Sequence, residues 1–150
     1  MQQLLQFDEP DHGAEVDAMV EAVLSGVGGP GWPLPVEAEK LLRALRHAHG
    51  AKQARPIREL ARQLDLSERE VKQAARTLVV EFSLPLVGSR IQPYGYYLAV
   101  TSEERLQAAN TLKHEIVALA RRVRALEGHK AMIEWLGQLK IELGGPQEAA

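Results

Sequence analysis

Residues 56–100 constrain the fold more than any other stretch of this chain. Pro56-Ile57-Arg58-Glu59-Leu60-Ala61-Arg62-Gln63-Leu64 sets Ile57, Leu60, Ala61 and Leu64 at helical spacing. Pro56 suits the first turn of that helix, where a missing N–H costs nothing. Asp65-Leu66-Ser67 then forms a tight turn with Leu66 as an apolar plug. Ser67 and Glu70 stand three apart, so the hydroxyl and the carboxylate can each bond the other residue's backbone N–H and start a second helix. Along it Val71, Ala74 or Ala75, Leu78 and Val79 face inward, and Arg69, Lys72, Gln73 and Arg76 share the opposite face. After Phe82 the pattern becomes strand-like: Pro85-Leu86-Val87-Gly88-Ser89, a turn at Arg90-Ile91-Gln92-Pro93, then Tyr94 to Val100. The expected order is helix, turn, helix, β-hairpin.

The flanks are simpler. Residues 1–13 place Leu4, Leu5 and Phe7 before a polar run, as a docking arm or a frayed terminus would. Val16, Met19, Val20, Val23 and Leu24 predict an amphipathic helix over 14–25, which either packs on the domain or meets a protein partner. Gly26 to Pro35 is a Gly/Pro linker, with Trp32 and Leu34 expected to pack back onto the domain. A helix is expected from Val36 to His49, then a connector, Ala51 to Arg55, with room for one extended segment that could pair with the hairpin. Thr101 or Ser102 caps a long helix through Glu127, in which Leu112, Ile116, Leu119, Val123 and Leu126 are spaced four, three, four, three. Met132, Leu136, Leu139 and Leu143 repeat that rhythm beyond Gly128. Two such seams across a glycine predict an antiparallel helical hairpin that packs on the domain or on a second copy. We expect a homodimer through Leu112, Ile116, Leu119, Val123, Leu126, Leu136 and Leu139. The expected fold is mainly α with a small β-hairpin. Its parts are an acidic arm, short helix and linker (1–35), a helix-turn-helix domain with its hairpin (36–101) and a C-terminal helical hairpin (102–150).

Composition narrows the function. The chain has no cysteine, which excludes disulfides, thiol nucleophiles and cysteine-based zinc sites. The five histidines are scattered, and no metal site is expected. No apolar run approaches the ~18 residues of a membrane span. No basic-then-apolar leader opens the sequence, and a cytoplasmic location is expected. Gly26, Gly28, Gly29 and Gly31 look superficially phosphate-binding, but interleaved prolines remove amide donors and no Gly-Lys-Ser/Thr follows. No nucleophile elbow is present, so neither an enzyme nor a cofactor is expected. The net charge of −2 hides a segregation. Residues 1–39 hold eight acids and no Lys or Arg, whereas residues 40–76 hold ten Lys or Arg against four acids. A basic block of this kind points to an anionic partner.

Three runs carry a resemblance: Ile57-Arg58-Glu59-Leu60-Ala61, Leu66-Ser67-Glu68-Arg69-Glu70-Val71-Lys72, and Tyr94-Gly95-Tyr96-Tyr97-Leu98-Ala99-Val100-Thr101-Ser102-Glu103-Glu104. Over about a third of the chain, these resemble the winged helix-turn-helix module of bacterial regulators and small phage or prophage DNA-binding proteins. The resemblance implies double-stranded DNA binding as a dimer, in transcription regulation, replication or packaging. The reading helix would be 68–81 and the wing 86–97. Helix geometry puts Arg69, Gln73 and Arg76 where bidentate side chains meet base edges. Arg55, Arg58, Ser67 and Lys72 would line the backbone, joined by Arg90 from the wing. Glu81-Phe82-Ser83-Leu84 departs from the short Gly turn often found after the reading helix. The competing expectation is a winged helix used only for protein contacts within a larger assembly.

Overall fold

The computed structural model describes residues 11–27, 31 and 33–144. The expected arm residues Leu4, Leu5 and Phe7, and Trp32, lie outside them. Along the chain run α1 (Gly13–Ser25), α2 (Val36–Leu45), a single 3-10 turn (Ala51–Gln53), α3 (Ile57–Leu64), α4 (Glu68–Val80), β1 (Leu86–Ser89), β2 (Gly95–Leu98), α5 (Ser102–Glu127) and α6 (His129–Glu142). The fold is therefore mainly helical, with one antiparallel hairpin followed by a C-terminal helix pair. It divides into two compact units after Ala108, within α5.

The first unit is built around one apolar cluster. Val16 and Val20 of α1, Leu41, Leu42 and Leu45 of α2, Leu60 of α3, Val71 and Leu78 of α4 and Leu98 of β2 are all almost completely buried. Each such side chain contributes roughly 1.5–3 kcal/mol over an exposed position. The acidic helix α1 is thus part of this core, with Glu15, Asp17 and Glu21 outward. Ala74 and Ala75, also buried, carry little side-chain bulk on the inner face of α4.

The turn between α3 and α4 forms as its residues dictate. Asp65 takes the left-handed conformation at φ 54°, which Asp tolerates better than most residues, and the Leu66 N–H reaches back to the Ala61 carbonyl at 2.9 Å. After α4, Ser83 takes φ 55° in place of the more usual glycine. The Leu84 N–H then bonds the Leu78 carbonyl at 3.1 Å, and the Leu84 side chain is buried.

In the hairpin, Leu86 pairs with Leu98 and Ser89 with Gly95. The other edge of β2 is paired as well. Arg55 N–H donates to the Tyr96 carbonyl at 2.8 Å and Tyr96 N–H to the Arg55 carbonyl at 2.9 Å. Farther along, Leu98 N–H donates to the Ala48 carbonyl and Gly50 N–H to the Leu98 carbonyl. The connector does supply the extended segment, and it starts earlier than expected. Helix α2 ends at Leu45, short of His49, because residues 48–50 leave the helix to bond β2. Two further differences are small. Val79 is 39% exposed instead of facing inward, and Leu143 lies just past the end of α6.

Gly95 permits this close pairing. Its φ is +124°, and a Cβ there would overlap the Arg55 carbonyl. The obstructing atoms are all backbone of Arg55 and Pro56, which leaves nothing flexible to move aside. Gly95→Ala is expected to cost about 3 kcal/mol, from the strained conformation plus the overlap. Urea unfolding monitored by circular dichroism measures it, with Gly88→Ala as the hairpin control, where an added Cβ meets only the Tyr96 ring at 3.5 Å.

Candidate nucleic-acid interface

The N-terminus of α4 is held by a complete capping box. The Glu70 N–H donates to Ser67 Oγ at 3.1 Å, and the Ser67 N–H donates to Glu70 Oε2 at 2.7 Å. The Ser67 N–H above all, with the Ser67 hydroxyl, holds the Glu70 carboxyl below its ordinary value, helped by the charge of Lys40 on α2. The inner face Val71, Ala74, Ala75 and Leu78 then sets the rotation of the helix. With that face buried, Arg69, Lys72, Gln73 and Arg76 must point outward, and all four are exposed.

The cations of this unit divide into two groups. Arg43 pairs with Glu39 at 2.9 Å, Arg46 with Glu21, Arg55 with Glu59 at 2.9 Å, and Arg58 loosely with Glu68 at 3.9 Å. Arg55 also donates to Gln63 at 2.6 Å. Among the described residues, Arg69, Lys72 and Arg76 make no ion pair. The structure therefore brings four of the eight expected DNA-contacting residues onto one open face of α4. Ser67 sits at the head of that helix with its hydroxyl committed to the cap. Arg58 is 85% exposed at its side chain, whereas Arg55 is tied down by Glu59 and Gln63. Arg90 is exposed just beyond β1, in the hairpin turn. The Arg55–Glu59 pair joins the extended connector to the first turn of α3.

Two residues outside the expected set add to this surface and its support. Arg62 is exposed one helical turn beyond Arg58 and makes no ion pair among the described residues; that i,i+4 spacing was the available signal. Glu104 lies in the first turn of α5. Its carboxylate accepts the N–H groups of Ala51 at 2.7 Å, Val100 at 3.2 Å and Thr101 at 3.3 Å. Thr101 Oγ1 in turn accepts the Glu104 N–H at 3.1 Å. One carboxylate thereby joins the connector, the residues that follow β2 and the start of α5. Its long-range bond to Ala51 had no local pattern to announce it.

Among the described residues no three His, Asp or Glu side chains converge as a metal set would, and no helix is long and apolar enough to cross a membrane. Comparison with protein-family models, curated proteins and solved structures finds no match to this chain.

Replacing Ser67 by Ala removes one arm of the capping box and is expected to lower stability by about 1 kcal/mol. The Glu70 carboxyl titrates lower in the folded chain than in the unfolded one. Its stabilising contribution is therefore complete above the ordinary carboxyl value of 4.5 and is lost as pH falls through the lower folded value. Thermal melts between neutral pH and pH 3 are expected to show a shallower acid-side loss for Glu70→Gln than for the native chain.

Proposed function

We propose that this chain is a sequence-specific double-stranded DNA-binding protein of winged-helix type. It would act as a transcription regulator or as a phage replication or packaging accessory. In this reading α4 enters the major groove and the β1–β2 turn lies over the flanking backbone. The observation that supports it is the open face of α4. Arg69, Lys72, Gln73 and Arg76 are exposed together there, and its three cations lack the acidic partners that occupy the arginines of α2. A solvated helix face normally interleaves both signs, as α2 does with Glu39 and Arg43.

The chemistry follows from side-chain shape. The planar forks of Arg69 and Arg76 match guanine O6 and N7, and the Gln73 amide matches adenine. Lys72 as a point charge, with Arg58 and Arg62 on α3, suits phosphate oxygens. Each phosphate neutralised releases condensed counterions, so affinity falls steeply with salt. Arg55 contributes little here, because Glu59 and Gln63 compete for its guanidinium. That pairing, with the exposed acids Glu15, Asp17 and Glu21 on α1, supports the second reading, a winged helix that contacts only protein. In that reading α1 is the surface a protein partner would use.

A mobility-shift titration of the full chain against pooled genomic fragments at low salt separates the two. Retarded DNA that disappears as salt rises is expected; no retarded DNA would favour the protein-contact reading. On a selected site, Arg76→Ala is expected to weaken binding by roughly 1–3 kcal/mol, one bidentate base contact. Arg124→Ala, on α5, is expected to change it by less than a third of that. Equal losses would remove α4 from the reading role.

A further inference from the structure

Among the described residues, the second unit of the chain has no core of its own. Neither α5 nor α6 contains a buried residue, and Leu112, Ile116, Leu119 and Leu126 are 57%, 58%, 54% and 86% exposed. We propose that this face of α5 is closed by the same face of a second copy, as a parallel two-stranded coiled coil over residues 109–127. The chemistry of the seam selects both the occupant and its direction.

In the register set by the four-three spacing, Ala109, Ile116 and Val123 take the a positions, and Leu112, Leu119 and Leu126 take d. β-branched residues at a with leucine at d is the combination that favours two parallel strands. Isoleucine at both positions, or the reverse order, shifts preference to larger assemblies. The flanking charges agree. Arg122 stands at g and Glu127 at the following e, the two positions that meet across a parallel dimer. Both are exposed, and neither makes an ion pair among the described residues. Two-fold symmetry makes that contact twice. The preceding g and e positions, Ala108 with Lys113 and Glu115 with Ala120, bring no like charges together. A protein partner of other sequence would not be expected to need this self-complementary set. Both chains then enter the coil from their residue-102 ends.

The absence of native cysteine makes direction measurable with one substitution. In a parallel pair, position 109 faces its own copy across the seam. In an antiparallel pair the two copies of position 109 would stand about 25 Å apart, at 1.5 Å per residue. The full-length chain is expected to show twice its 16.6 kDa mass by light scattering. Ala109→Cys is expected to form a disulfide-linked dimer under mild oxidation, and His114→Cys, at the outward f position, is not. Leu119→Lys is expected to give a monomer with unchanged helix content. Arg122→Glu is expected to weaken the dimer about fivefold, and adding Glu127→Arg to restore it, as small symmetric ion pairs would. A monomeric native chain would overturn the proposal. So would a dimer that Ala109→Cys leaves uncrosslinked, or one that is rescued by Glu115→Arg and not by Glu127→Arg. The mass and cross-linking are read without DNA, so their outcome is independent of the proposed DNA binding.

Discussion

Strand β2 is bonded along both edges, and the first unit depends on that. One edge pairs with β1 in an ordinary hairpin; the other takes backbone bonds from Ala48, Gly50 and Arg55. A two-stranded hairpin alone is marginal in water. The second set of bonds ties the hairpin to the segment between α2 and α3, so the helices and the hairpin share one core. Gly95 leaves room for the approach, and Leu98, on the same strand, is fully buried in that core. Glu104 extends the link by accepting N–H groups from both the connector and the residues just after β2. The start of α5 is thereby fixed to the sheet.

The same packing decides which charges remain open. Helix α1 buries Val16 and Val20 and turns Glu21 toward Arg46, at the C-terminal end of α2. Near α1, His49 Nε2 lies 2.9 Å from Asp17, without the geometry of a hydrogen bond. Much of the acidic charge at the beginning of the sequence is spent locally on cations and ring nitrogens of the same unit. Arg69, Lys72 and Arg76 on α4 are not compensated in this way, although the chain as a whole is slightly acidic. Net charge is a poor guide to a chain of this kind; the position of the unpaired cations is what an anionic partner would meet.

Local chemistry was legible throughout. The Ser67–Glu70 box, the Leu66 plug, the hairpin and the start of α5 all follow from residues within a few positions of one another. The outward face of α4 was legible because its inward face is apolar at helical spacing. Long-range pairing was legible only in part: the connector was expected to meet the hairpin, and Arg55 does pair with Tyr96, but where that pairing begins was not. The end of α2 at Leu45 is set by β2, which lies about fifty residues away in the chain, and nothing near His49 announces that bond. The capture of Arg55 by Glu59 and Gln63 belongs between these cases. The spacing permits it, but competition from other partners is decided only when the helix is seated.

Local residue chemistry therefore sets the elements and their faces. Helix caps, turn residues and apolar periodicity act over one or two turns and need no tertiary context. Tertiary structure decided where α2 stops, that α1 belongs to the same core, and which arginines are neutralised. The physical reason is that a backbone edge or a guanidinium binds whichever partner the packed core brings within reach. The seam of α5 stands at the border between the two. Its heptad is written in the sequence, while its exposure in the folded chain is what leaves it free to meet another copy.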